Sequence, residues 1–256
     1  MQLIDQLESL LTALKLHGMR ESLGRHIKQA TDTDMSYEDF LTLLVSEEAE
    51  ARKNLRIGRL LKNAAFRQPA SLEAIDFAVS RGMDKKQIAG LAGGRFIREG
   101  LNVLILGPTG IGKSFLASAL GNAACRHGHT TLFYRMNALI EQMTLARAKG
   151  TYLNLLRRLA GCELLVLDDF GIKPLAPQQF QDLYDVIDER GECQSTIITS
   201  QLPVDNWGEV IADPVTCEAI TDRIVSRALT VQMKGPSYRP RRGGEARKRL
   251  TEIDPS

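Results

Sequence analysis

The spacing of apolar positions changes character about a third of the way along the chain. Near the start, Leu3, Leu7, Leu10, Leu11 and Leu14 recur at three- and four-residue intervals, which predicts an amphipathic helix over residues 3–16. Gly18 is a suitable stop, and a second short helix is expected over 20–30. The polar turn Thr31-Asp32-Thr33-Asp34 follows. Ser36, with Asp39 three residues on, makes a weaker form of the capping box. It opens a helix that carries Phe40, Leu43, Leu44, Ala51 and Leu55 on one face. Phe66 to Ser71, containing Pro69, reads as a linker.

Beyond the linker the helical period gives way to short, nearly continuous apolar runs. Strands are predicted at 102–106, 131–134, 164–167, 196–199 and 228–232, where β-branched and aliphatic residues cluster. Helices fit between them: 85–91 behind an Asp84 cap, then a helix running to about 127, then 137–149, 152–160, 177–190, and one opened by Pro214. Buried strands alternating with helices imply a parallel sheet covered on both faces. The expected fold is α/β, with a five-stranded parallel core behind a small all-helical N-terminal domain. The expected limits are 1–67 for the helical domain, 68–233 for the sheet domain and 234–256 for a basic, disordered tail. Gly235-Pro236, Pro240 and Gly243-Gly244 break that tail, so no substantial helical C-terminal lid is expected.

Composition narrows the classes without naming one. The 256 residues are 43% apolar and 25% charged with a net charge of +2, ordinary for a soluble globular protein. Cys125, Cys162, Cys193 and Cys217 are scattered, so neither a zinc site nor a disulfide framework is indicated. No apolar window is long enough for a membrane span, and Asp5 and Glu8 interrupt the N-terminal pattern against a signal peptide. A cytoplasmic location is expected.

The first candidate chemistry is Gly107-Pro108-Thr109-Gly110-Ile111-Gly112-Lys113-Ser114, followed by Phe115. Gly, four residues, then Gly-Lys-Ser between a strand and a helix is the phosphate-loop pattern. Glycines let the backbone wrap closely, so successive N–H groups aim at phosphates, and the helix N-terminus adds positive potential. Lys113 would reach the β- and γ-phosphates of a nucleoside triphosphate, and the Ser114 hydroxyl would hold Mg²⁺. The third predicted strand ends in Asp168-Asp169, the Walker B arrangement. There Asp168 would hold the metal, and Asp169 would orient or deprotonate the attacking water. Ser200 and Gln201 end the strand expected between these two, and either could bond the water or the γ-phosphate. Arg223 and Arg227 lie one helical turn apart. One of them could reach a neighbouring subunit's nucleotide, or form a surface ion pair with Asp222.

Together these stretches resemble the AAA+ ATPases of the initiator and helicase-loader branch, and more closely the IstB-type transposition helper ATPases. The resemblance rests on Lys15-Leu16-His17-Gly18-Met19, Phe96 to Gly107, Leu167-Asp168-Asp169-Phe170-Gly171, Thr199-Ser200-Gln201-Leu202-Pro203 and Asp222-Arg223. It implies ATP hydrolysis, ATP-controlled assembly of a homo-oligomer on double-stranded DNA, and stimulation of the transposase encoded by the same element. By the same resemblance Arg223 matches an arginine finger, and Ser200 or Gln201 a sensor. The helices between the second and third strands match an initiator-type insertion, which makes Arg147, Lys149, Arg157 and Arg158 candidate DNA contacts. Asp169 departs from the glutamate found in many AAA+ proteins, so slow, switch-like turnover is expected.

Two further basic runs, Arg52-Lys53-Arg56-Arg59-Lys62 and Lys234 to Arg249, read equally as DNA surfaces or as solvated faces. The alternative functions are a DnaC-type replicative helicase loader and a small-molecule phosphotransferase.

Overall fold

The computed structural model describes residues 2–77, 81–191, 193–211 and 213–237. The chain divides into two compact units between Arg59 and Leu60.

The first unit is helical. α1 (Gln2–Ala13) ends before the predicted stop at Gly18. Leu16 N–H donates to Leu11 O at 2.8 Å and Lys15 N–H to Thr12 O at 3.0 Å. This is a Schellman closure with Lys15, at φ 58°, in the left-handed position usually given to glycine. Gly18 serves a different purpose inside α2 (His17–Thr33). A Cβ there would fall 2.7 Å from Glu47 O and 2.8 Å from both Glu48 Cα and Ala51 Cβ. Its missing side chain lets α2 press against α3 (Tyr37–Ala64). Glu48 crosses the same contact, accepting from Gly18 N–H at 2.7 Å and Met19 N–H at 3.3 Å. It therefore places a carboxylate on the electropositive start of α2. Burial pushes the Glu48 carboxyl up, but bonds from Arg52, Met19 and Gly18 outweigh it and hold the group below its ordinary value of 4.5. Ser36 caps α3 as predicted, its Oγ accepting from Asp39 N–H at 3.1 Å. Leu11, Leu23 and Leu44 form the small core. Leu55, expected on the buried face, is 55% exposed.

The second unit holds the sheet. β1 (Asn102–Leu106), β2 (Thr131–Arg135), β3 (Leu164–Phe170), β4 (Ser195–Ser200) and β5 (Ala228–Gln232) are all parallel in the order β2-β3-β4-β1-β5. Alternation along the strands sorts the core into two halves. Leu104, Leu106, Leu165, Leu167 and Ile198 face one cluster, with residues of α7 (Met136–Ala148), α8 (Tyr152–Gly161), α9 (Pro177–Arg190) and α10 (Pro214–Val225). Val103, Ile105, Leu164, Val166 and Ile197 face the other, with α4 (Lys85–Ala92), α5 (Arg95–Arg98) and α6 (Lys113–Arg126). This is the α/β core the sequence predicts, with helices on both faces. Asp84 caps α4 through Lys86 N–H at 2.9 Å.

The predicted linker is part of this core. The Phe66 ring meets Phe133 edge-on at 6.0 Å, and a Cβ on Gly121 would lie 2.7 Å from it. Ala70 is buried. The chain bends at Arg67 and Gln68, and the Phe66 side chain just before the bend fills a slot on α6. After β5, the described residues end at Ser237 without another helix. The tail expected to be disordered lies, from residue 238 on, outside the described residues.

Candidate functional site

β1 delivers the glycine-rich loop to the carboxyl edge of the sheet, where ligands bind in open α/β folds. Gly107 must be glycine for two reasons. Its φ is 152°, and a Cβ would stand 2.4 Å from the Met233 carbonyl oxygen. Gly110 and Gly112 adopt φ of 80° and 108°, and Gly112 occupies the cap position of α6. The buried Lys113 returns over this turn, its Nζ donating to Gly107 O at 2.7 Å and Pro108 O at 3.0 Å. The turn thus has the left-handed glycines, the helix start and the inward ammonium that a polyphosphate requires. These residues fit ATP.

The acidic pair is built by an irregularity in β3. Pairing with β4 runs Leu167 to Ile198 and then Phe170 to Ser200, so β3 carries one extra residue. Asp169 takes up the bulge at φ 63°, which turns its side chain away from the strand's alternation. The strand accordingly continues through both aspartates to Phe170 instead of stopping before them. Asp168 is buried. Burial pushes its carboxyl up, hydrogen bonds with Thr199 and Ser114 pull it down, and the neighbouring Asp169 pushes it up again. A buried carboxylate touching the phosphate-loop serine, with a second carboxylate beside it, is a donor set suited to a divalent cation. Ser114 and Asp168 are the residues that could hold Mg²⁺.

Three residues of this site were assigned no role from the sequence. Thr199, fully buried, donates to Asp168 Oδ1 at 2.6 Å and accepts from Asp169 N–H at 2.9 Å. It fixes both acids through one hydroxyl. Its sequence signal is its place at the head of the family-like stretch Thr199 to Pro203. Arg135, at the end of β2, reaches Asp169 Oδ2 at 3.3 Å. Arg81, ahead of α4, packs against Gly112 of the loop.

The strand-end pair separates cleanly. Ser200 is fully buried and its hydroxyl is spent locally, donating to Phe170 O at 2.9 Å and accepting from Leu202 N–H at 3.0 Å. Gln201 is exposed, and its Oε1 accepts from Thr109 Oγ of the phosphate loop. Gln201 is the member of the pair that reaches the phosphate loop.

Arg223 makes its contacts away from the loop. Its Nη2 and Nε reach Asp188 Oδ1 at 2.8 and 3.0 Å. Nη2 also donates to the Tyr184 hydroxyl at 2.9 Å, with the guanidinium 4.9 Å from that ring's centre. The acid it pairs with is Asp188 on α9, where the sequence suggested Asp222. Arg147, a candidate DNA contact, is committed internally. Its guanidinium lies 2.5 Å from the buried Asp182 and 3.8 Å above the Tyr152 ring. Arg157 and Arg158 instead line an open groove of about 540 Å³ with Asn63, Thr130 and Cys162. On α3, Arg52 pairs with Glu48 at 2.7 Å and Lys53 with Glu50 at 3.3 Å.

A parallel sheet in the order 2-3-4-1-5, a phosphate loop after β1 and an acidic pair on β3 define a P-loop nucleotide-binding protein of the AAA+ type. The chain belongs to the IstB-like ATP binding protein family, whose profile matches residues 9–246. It is 39% identical to an insertion sequence ATP-binding protein of Sinorhizobium fredii over 231 residues, 90% of this chain and 93% of that one. It is 32% identical to the insertion sequence IS21 ATP-binding protein of Pseudomonas aeruginosa over 253 residues, covering 98% and 96%. Among solved structures, the DnaC helicase loader aligns with TM-score 0.52 at 22% identity, over 58% of this chain and 87% of that one. AMPPCP-bound DnaA of Aquifex aeolicus aligns with TM-score 0.57 at 18% identity, over 73% and 57%. At these identities the structures speak to fold alone. Among the described residues no helix is long and apolar enough to cross a membrane.

Proposed function

We propose that this protein hydrolyses ATP, and that ATP controls its assembly as a homo-oligomer on double-stranded DNA, where it stimulates the transposase encoded by the same insertion sequence. The observation that carries the reading is the meeting of Ser114, Asp168 and Asp169 at one sheet edge, with Arg223 engaged elsewhere. The first three supply metal and water positioning; the cation that would stabilise transferring phosphate is exposed on α10 and engages Asp188 and Tyr184 of α9. Such a site is completed by the next subunit. Lys113 and the loop residues 107–115 hold the nucleotide, Ser114 and Asp168 hold Mg²⁺, Asp169 handles the water, and Gln201 reports the γ-phosphate. Magnesium supplies charge neutralisation of the β- and γ-phosphates. The insertion-sequence names of the relatives support a transposase partner.

The test is light scattering of the full-length protein with and without ATP and duplex DNA, beside Lys113→Ala. Assembly should require both ligands and vanish in the variant. Assembly indifferent to both would overturn the proposal. A pull-down against the transposase and against a replicative helicase separates this reading from a helicase loader.

A further inference from the structure

The order of the strands gives the bound nucleotide a direction. The acids on β3 and Gln201 after β4 mark the γ-phosphate side, and both strands lie on one flank of β1. The nucleoside must therefore leave on the other flank, toward β5. What stands there is a strap of chain ahead of α4. Arg81 O accepts from Lys234 N–H at 2.8 Å. The next residue, Gly82 at φ 70°, packs so closely that a Cβ would meet Gln232 O at 3.2 Å. Ile75 of the same stretch is buried in the core cluster that holds Ile111, Leu116 and Met233. This backbone aims one side chain at the loop. Arg81 is 6% exposed, its Nη2 donates to Asp76 O at 2.5 Å, and its Nη1 lies 3.2 Å from where a Cβ on Gly112 would sit. A guanidinium is thus held against the cap residue of the phosphate-binding helix, on the flank opposite the acids.

We propose that Arg81 is a second cation of the nucleotide site and donates to the phosphate nearest the nucleoside. Lys113 serves the terminal phosphates and Arg81 the α-phosphate. Its contact is then common to ATP and ADP, so it holds nucleotide through the whole cycle and does not sense hydrolysis. The inference rests on the nucleotide-binding reading of the loop and extends it to a residue outside any motif. Burial and the strap explain why arginine is suited here. A guanidinium carries five N–H donors in one plane, so a single arginine can bond the Asp76 carbonyl and an anion together.

The test uses full-length protein and N-methylanthraniloyl ADP and ATP, with displacement by unlabelled ATP, ADP and GTP. Arg81→Ala should weaken ADP and ATP by the same factor, roughly ten- to a hundred-fold for a lost charge-assisted bond. Arg81→Lys should recover part of it, and the ratio of ATP to GTP affinity should not move. Arg81→Gln, which retains a donor for Asp76 but no charge, should bind as weakly as Arg81→Ala; it replaces the alanine variant if that one fails to fold. Unchanged affinity in folded Arg81→Gln would overturn the proposal. So would a loss confined to ATP, which would put Arg81 at the γ-phosphate, or a changed ATP to GTP ratio, which would put it at the base. If the wild-type protein itself binds no nucleotide, the underlying reading of the loop fails instead.

Discussion

Replacing Asp188 by alanine should lower the ATP concentration needed for assembly. If Arg223 completes a neighbour's site, it must first leave Asp188, so the pair opposes assembly in the free subunit. Both contacts, at 2.8 and 3.0 Å, go to a single carboxylate oxygen, and the two side chains are 40% and 49% exposed. Solvent screening at that exposure limits the pair to about 0.5–1 kcal/mol. The Tyr184 contact remains after the substitution. The variant should therefore reach half-maximal assembly at roughly two- to five-fold less ATP, since 1.4 kcal/mol is a factor of ~10. The fold should be unharmed: Asp188 lies in the last turn of α9, where a negative charge is unfavourable to the helix dipole and alanine is a better helix former. Light scattering across an ATP titration on duplex DNA measures the midpoint, and a thermal melt checks the fold. A midpoint that stays put or rises would refute the reasoning, because the contact would then be neutral or would pre-orient Arg223.

Asp169→Asn should keep nucleotide affinity and lose phosphate release, since asparagine tolerates the left-handed bulge but cannot take a proton; turnover at the wild-type rate would assign the water to another group. Gly107→Ala should drive a methyl into the Met233 carbonyl, lowering stability by more than ~2 kcal/mol in a melt and abolishing nucleotide binding. Glu48 titrates below 4.5 when folded, so its stabilisation is full above that value and is lost as pH falls through the lower, folded one. Hydrogen exchange at the Gly18 and Met19 amides should accelerate beyond the intrinsic trend as pH falls below 4.5. Glu48→Gln should exchange faster at neutral pH and show no such transition.

Local chemistry was readable wherever it is carried by spacing. The phosphate loop needs particular residues at particular intervals along one turn, and the alternation of apolar strands with helices states the sheet class. Family-like stretches such as Leu167 to Gly171 pointed to the same site. Helix ends were harder. Gly18 has the residue type of a stop, but its missing side chain is used for contact with α3, and Lys15 adopts the left-handed turn in its place. Phe66 has the neighbours of a linker residue yet is held by Gly121 and Phe133, which lie far along the chain.

The sequence alone determined that a phosphate loop, two acids and five strands exist, because period and motif are properties of neighbouring residues. Only the tertiary structure decided what those parts touch. Strand order set which flank of β1 faces the acids. A bulge of one residue turned Asp169 out of alternation, and Thr199 was brought from β4 to hold both carboxylates. The split between Ser200 and Gln201, the pairing of Arg223 with Asp188 and the approach of Arg81 to Gly112 are likewise contacts between residues distant in sequence. Such contacts arise from register and packing, which a linear pattern of residue types does not encode.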